Sequence, residues 1–299
     1  MRRFVDLHIH STASDGSLRP AELVALADAA GLAAMALTDH DTTGGLAEAK
    51  DAARGFPELR FVEGIEISAK WPVGTLHILG LGIDEESASL RAVVARLQAA
   101  RAERNPKIIA KLRGMGIDID MDEVLGAACC GEPPAQISGS GLAGRPGRII
   151  GRLHIAEVLR AKGYAGSTAE AFDKYIGNYA PGFVDKERLT PPEAIGPIHD
   201  AGGLAVLAHP VQLGCENRAQ LTRSVWDLQA AGIDGIEVYH TDHSSEQTRA
   251  YLELARRLGL GVVGGSDFHG TAKPGSALAR PLVSLGAIGK LWSEKLLGL

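Results

Sequence analysis

Cysteine is scarce in this chain. There are three in 299 residues. Two are adjacent, at Cys129 and Cys130, without the C-x-x-C spacing of a zinc clip, so they read as reduced cytosolic thiols rather than a disulfide framework. An excess of positive charge is also lacking. The formal net charge is −5, which argues against a broad basic surface that coats long nucleic acid, though not against a short nucleotide chain in a local basic pocket. Tryptophan is limited to Trp71, Trp226 and Trp292, with no pattern of stacking platforms for a long single strand. No apolar run approaches the ~20 residues that span a bilayer. Met1-Arg2-Arg3 leads at once into a strand pattern, with no leader or cleavage site. The expectation is a cytoplasmic protein without membrane contact. What is present is ordinary for a globular chain, 45% hydrophobic and long enough for a large core and one or two domains.

Two histidines one residue apart end the first hydrophobic run, Phe4-Val5-Asp6-Leu7-His8-Ile9-His10. Val5, Leu7 and Ile9 alternate with polar residues at the period of a strand. His8 and His10 therefore share one side, where two imidazoles make a natural metal clamp. The pair alone suits two ordinary polar residues on a half-buried strand equally well. The rest of the chain breaks the tie. Asp15 follows after a polar loop. Thr38-Asp39-His40 ends the run 33–37, Glu66 lies in the strand-like run 60–68, and His77 sits in Leu76-His77-Ile78. Ala208-His209-Pro210 ends the run 204–207, and Ser266-Asp267-Phe268-His269 follows Gly261-Val262-Val263. Six strands that each deliver His, Asp or Glu make coincidence a poor explanation. In a parallel barrel such strand ends converge on one face.

The periodicity predicts strands near residues 4–9, 33–38, 60–67, 75–82, 203–208, 234–239 and 261–266, with helical patterns between them. Alternating strands and helices imply an α/β fold with parallel strands and right-handed crossovers. Residues 86–183 break the alternation. Apolar residues there recur at helical spacing around Leu90 to Leu112, 149–160 and 168–175, with a Gly/Pro/Ser-rich loop at 131–147. Three segments result: 1–85, an insertion at 86–183, and 184–299.

On these motifs (His8-Ile9-His10, Asp15, Thr38-Asp39-His40, Gly64-Ile65-Glu66, His77, Ala208-His209-Pro210 and Ser266-Asp267-Phe268-His269) the chain resembles the PHP (polymerase and histidinol phosphatase) family of metal-dependent phosphoesterases. It looks closest to the stand-alone bacterial branch that acts on nucleotide phosphates. The resemblance implies a distorted, TIM-like (β/α)₇ barrel with a mainly helical insertion between strands 4 and 5, capping the barrel mouth. It implies two or three divalent ions, manganese ahead of iron or zinc. The first would be held by His8, His10, Glu66 and Asp267, the second by Glu66, His77 and His209, and the third by Asp15, His40 and His269. These nine residues would also be the catalytic set. Imidazole and carboxylate suit such ions, and the absence of cysteine among the donors argues against a structural zinc. Clustered divalent ions neutralise phosphoryl oxygens and acidify water, so the expected nucleophile would be a metal-activated water rather than a side chain. Ser11, Thr12 and Ser14 read as loop formers.

Substrate contacts are sought in the insertion. Arg101 and Arg104 share a helix face beside Asn105, an arrangement that suits either a solvated charged face or a phosphate fork. Arg145 and Arg148 flank a Pro-Gly turn. His154 follows in Gly151-Arg152-Leu153-His154, where the branch tends to have Gly-Arg-Pro-His. Asn178, with Tyr179, could face a base or ribose, and His243 follows the sixth strand with His240. His154, His243 or a metal-bound water could protonate the leaving oxygen, and the sequence does not choose. The favoured partner is a small nucleotide, a nucleoside 3′,5′-bisphosphate ahead of nucleoside monophosphates or short RNA 5′ ends. The rivals are histidinol phosphatase, a polymerase-associated module and a non-catalytic binding protein.

Overall fold

The computed structural model describes residues 3–128, 149–273 and 275–298. In chain order the elements are β1 (Phe4–Ile9), α1 (Pro20–Ala29), β2 (Ala34–Leu37), α2 (Leu46–Ala53), β3 (Arg60–Ala69), β4 (Leu76–Leu81) and the long α3 (Ala88–Gly114). There follow α4 (Met121–Ala128), α5 (Arg152–Ala161), α6 (Thr168–Ala171) with a π-turn at Phe172–Ile176, α7 (Pro191–Asp200), β5 (Leu204–Leu207) and α8 (Arg218–Ala230). The chain closes with β6 (Gly235–Tyr239), α9 (Ser245–Leu258), β7 (Gly261–Gly264), β8 (Val283–Ser284), α10 (Leu285–Ile288) and α11 (Lys290–Leu297).

The strands form one mixed sheet in the order β7-β6-β5-β4-β3-β2-β1-β8. Its two sides meet where Ile9 bridges Phe268, with the His10 N–H donating to Phe268 O and the Asp267 N–H to His8 O, each at 2.9 Å. The result is a nearly closed α/β barrel. Gly265 makes this closure possible, because a Cβ there would lie 2.3 Å from His8 Cβ. β2 and β5 are buried at every residue, as continuous apolar runs are when both faces of a strand are covered. β1 is buried from Val5 onward, not half-buried as its alternation suggests.

The expectation of all-parallel strands is corrected. β4 is antiparallel to both β3 and β5, and β8, which the periodicity missed, is antiparallel to β1. Only residues 70–75 join β3 to β4. A parallel return needs a crossover of a dozen or more residues, so this link permits only a hairpin. His77 consequently lies at the start of its strand, and not at the end of an apolar run.

By its internal contacts the chain divides into Met1–Val94 with Arg188–Leu299, and Ala95–Glu187. The division falls within α3, between Val94 and Ala95. The second unit has its own core, built on Ile108, Leu112, Ile119, Val124, Ile155 and Leu159. α3 continues through Pro106. Among the described residues, no helix is long and apolar enough to cross a membrane.

Candidate metal centre

The centre is assembled by buried carboxylates that tie its loops together. Asp6 on β1 accepts the backbone N–H of Ser266 (2.9 Å) and of Ala279 (2.8 Å), anchoring the segment that carries Asp267 and His269. Asp39 accepts from Ser11 N–H (2.7 Å) and from the hydroxyls of Ser11 and Ser14 (2.6 Å each). These two serines are loop formers, and the turn they shape presents Asp15. After β2 the chain pairs with β3, the Asp41 N–H donating to Glu66 O at 2.9 Å, which places His40 beside Glu66.

Glu66 is the hub and is fully buried. Its Oε1 faces His77 Nδ1 at 2.8 Å and His209 Nε2 at 2.9 Å. Its Oε2 faces His40 Nδ1 at 3.0 Å, His10 Nε2 at 3.1 Å and His8 Nε2 at 3.3 Å. Asp267 Oδ1 stands 3.2 Å from His10 Nε2 and 3.4 Å from His8 Nε2. Asp15 Oδ1 is 3.3 Å from His269 Nε2, and Asp15 Oδ2 is 3.9 Å from His40 Nε2. All nine residues singled out as ligands are thus in one place. Among the described residues, His8, His10, Glu66 and Asp267 form one group able to hold an ion, and His10, Asp15, His40 and His269 another. His40, Glu66 and His77 form a third, with His209 Nε2 3.3 Å from His77 Nδ1.

Unsatisfied atoms test whether this donor set suits a metal. His8 Nε2, both ring nitrogens of His10, Asp15 Oδ1 and Glu66 Oε2 are buried without a hydrogen bond among the described residues. Buried polar atoms are otherwise almost always paired. Donors 3.1–3.4 Å apart are spaced as if around one ion, since bonds of ~2.1 Å put neighbouring ligands roughly 3.0–3.4 Å apart. The residues fit divalent metals.

Electrostatics point the same way. Burial opposes the charge of Glu66, but the His40, His77 and His8 imidazoles outweigh it and hold the carboxyl well below the usual range. Burial is likewise outweighed at Asp15, by His40 and His269, and at Asp267, by His8 and His269, and both lie well below the usual range. His8 is raised well above the ordinary imidazole value, its burial outweighed by Glu237, Glu66 and Asp267. His10 is raised by Asp267 and Glu66, again against burial. At His77 burial prevails and the pKa falls to about 4. Ionised carboxylates therefore face imidazoles that compete for a proton or a cation.

Sequence reasoning missed Glu237. Buried on β6, it accepts from His8 Nδ1 at 3.0 Å and from the His209 N–H at 2.7 Å. A carboxylate holding Nδ1–H leaves the His8 Nε2 lone pair directed at the centre. The available signal was a lone charge in the apolar run Gly235-Ile236-Glu237-Val238-Tyr239. His240 is also buried, with its ring 6.0 Å from that of His8. His243 Nδ1 donates to Val238 O at 3.0 Å, and burial lowers its pKa to about 4. It is neutral near pH 7 with a bare Nε2, so it has no proton there to give a leaving group.

The remaining candidates belong to the second unit. Arg101 and Arg104 are 8% and 5% exposed, so neither lies on a solvated face. Arg104 donates to Asn105 Oδ1 (2.9 Å), and Asn105 Nδ2 donates to Ile150 O (2.9 Å). His154 Nδ1 accepts the Gly151 N–H at 3.0 Å. Asn178 Oδ1 accepts from Arg152 at 3.3 Å. Arg145 and Arg148 lie outside the described residues, as do Cys129 and Cys130.

Comparison with known proteins agrees with the geometry. The PHP domain family model matches residues 6–111. The 3′,5′-nucleoside bisphosphate phosphatase of Chromobacterium violaceum is 38% identical over 91% of this chain and 89% of its own. A 5′-3′ exoribonuclease of Haemophilus influenzae is 34% identical over 90% of this chain and 91% of its own. The structure of an amidohydrolase from Chromobacterium violaceum, with bound sulfate and no metal, superposes with a TM-score of 0.79 at 34% identity, covering 97% of this chain and 95% of that one. Likeness of this extent, on a barrel that gathers nine candidate metal donors, means that the chain belongs to the PHP family of metal-dependent phosphoesterases.

Proposed function

We propose that this phosphoesterase removes phosphate from a small nucleotide, with a nucleoside 3′,5′-bisphosphate favoured over nucleoside monophosphates and short RNA 5′ ends. The observation that carries the metal chemistry is the division of Glu66, one oxygen toward His77 and His209 and the other toward His8, His10 and His40. A carboxylate so placed can bridge neighbouring cations. His8, His10, Glu66 and Asp267 would hold the first ion, Glu66, His77 and His209 the second, and Asp15, His40 and His269 the third. Bound divalent ions, manganese ahead of iron or zinc, would neutralise phosphoryl oxygens and activate water.

The chain's own residues do the rest. Glu237 holds His8 in the tautomer that directs Nε2 inward. The burial of His8, His10 and Glu66 keeps bulk water from competing for the donors. Arg101 and Arg104 are assigned to the second phosphate, as guanidiniums that can fork onto it. The bisphosphate preference is supported by likeness to the bisphosphate phosphatase, and short RNA by likeness to the exoribonuclease. The scarce, unpatterned cysteines support a cytoplasmic location.

The test is phosphate release by the manganese-loaded protein from adenosine 3′,5′-bisphosphate, AMP, a short 5′-phosphorylated RNA and histidinol phosphate. The bisphosphate is expected to give the highest kcat/KM. A preference for histidinol phosphate would retain the metal centre and overturn the roles given to the arginines.

A further inference from the structure

The two oxygens of Asp267 keep different company. Oδ1 faces the imidazoles of His10 and His8. Oδ2 is engaged on its other side by Lys273 Nζ at 2.7 Å and faces His240 Nε2 at 3.5 Å. Lys273 lies just past the short turn Gly270–Ala272 and touches a second carboxylate, Asp242 Oδ2, at 3.2 Å. His240 accepts the Asp242 N–H on Nδ1 at 3.0 Å, which turns its Nε2 toward Asp267. Thr241 ties the same loop to the Asp267 segment by donating to Ser266 O at 2.8 Å. His240, Asp242 and Asp267 are by themselves a group able to hold a cation, and the Lys273 ammonium already stands against both carboxylates.

From this arrangement we propose that Lys273, backed by His240, is a positioning residue of the metal centre. It holds Oδ2 so that Asp267 offers the centre one oxygen only, and it fills with an ammonium the corner that a further ion would take. The inference rests on the metal-centre reading above and deepens it. A carboxylate can give one oxygen or both to an ion. A charge-assisted hydrogen bond on Oδ2 fixes the carboxylate plane and withholds that oxygen. The backbone is held as well, because Asp267 has φ +51° and its N–H is bonded to His8 O at 2.9 Å. A bound ion that took one oxygen from Asp267 rather than two would have more room for a phosphate oxygen.

The test is calorimetric titration of the full metal-free chain with Mn²⁺, which needs no substrate. Lys273→Met is expected to raise the dissociation constant about 10–100-fold, the usual range for partners that orient metal ligands. Lys273→Arg is expected to recover most of that loss, since its guanidinium can still donate to Oδ2. Parent-like affinity in Lys273→Met would overturn the proposal. Unchanged affinity with a raised KM would also overturn it, because Lys273 would then be a substrate contact. Should Lys273→Met fail to fold, Asp242→Asn decides, since it loosens the ammonium without removing it. Weaker Mn²⁺ binding supports the role, and parent affinity refutes it. A parent chain that takes up no Mn²⁺ would overturn this proposal together with the metal-centre reading, whereas the other failures leave that reading intact.

Discussion

At the scale of single residues, the candidate centre is built as much from groups that brace its donors as from the donors themselves. Glu237 satisfies two donors at once, one on the side chain of His8 and one on the backbone of His209. His209 has φ +24°, a sparsely populated conformation that persists only when neighbours over-determine it. Glu237→Gln keeps the volume but turns one acceptor into a donor, which must then face another N–H in a dry interior. The expected result is a loss of about 1–3 kcal/mol in stability together with weaker Mn²⁺ binding, read by thermal melting and metal titration. A variant that melts and binds like the parent would show that Glu237 is dispensable. The sequence shows Glu237 as a charge within an apolar strand but not its partners, because His8 lies 229 positions away in the chain.

At the scale of elements, the barrel is closed by the segment after β7 rather than by a ladder of strand residues. Gly265 is the point of closest approach, and a side chain there would meet His8 at Cβ (2.3 Å) and backbone N (2.6 Å). Neither atom belongs to a flexible side-chain end, so the strand itself must shift. Gly265→Ala is expected to cost about 1–3 kcal/mol, as overpacking typically does. It should also reduce bound metal, because Asp267 follows two residues later. Thermal melts paired with metal counts check this, and unchanged metal content would separate barrel closure from the centre. Most strands were legible as short apolar runs ending in polar residues. β8, two residues long, was not, since so short a run carries no periodicity. The antiparallel direction of β4 was implicit in the six-residue link at 70–75, a signal that strand alternation obscured.

For the whole molecule, the protonation pattern makes stability depend on pH and on metal. His8 and His10 have raised pKa values when folded. They contribute stability that is fully present below about pH 6.5, the ordinary imidazole value, and is lost as pH rises through their folded values. His77 and His243 are lowered to about 4, so folding is penalised progressively as pH falls from about 6.5 toward that value. The lowered carboxyls of Glu66, Asp15 and Asp267 add stability present above about pH 4 and lost as pH falls further. The metal-free protein is expected to melt highest near pH 6.5 and to weaken on the alkaline side. Metal requires deprotonated ligands and releases protons on binding, so Mn²⁺ should remove the alkaline decline and move the optimum upward. Melting temperature against pH, with chelator and with Mn²⁺, tests this. Superimposable profiles would mean that these histidines do not hold the ion.

The amino-acid sequence by itself determined the donor set and the α/β class. Imidazole and carboxylate chemistry belongs to the residue type, and strand and helix periods are local. Tertiary structure alone decided which oxygen of Glu66 faces which imidazoles, that Glu237 braces both His8 and His209, and that Lys273 occupies the far side of Asp267. It also decided that Arg101 and Arg104 are buried, where helix spacing was equally consistent with a solvated face. These facts depend on contacts between residues far apart in the chain. Such contacts leave no period and no spacing to read, because they exist only once hydrophobic burial has closed the barrel and folded the helical unit.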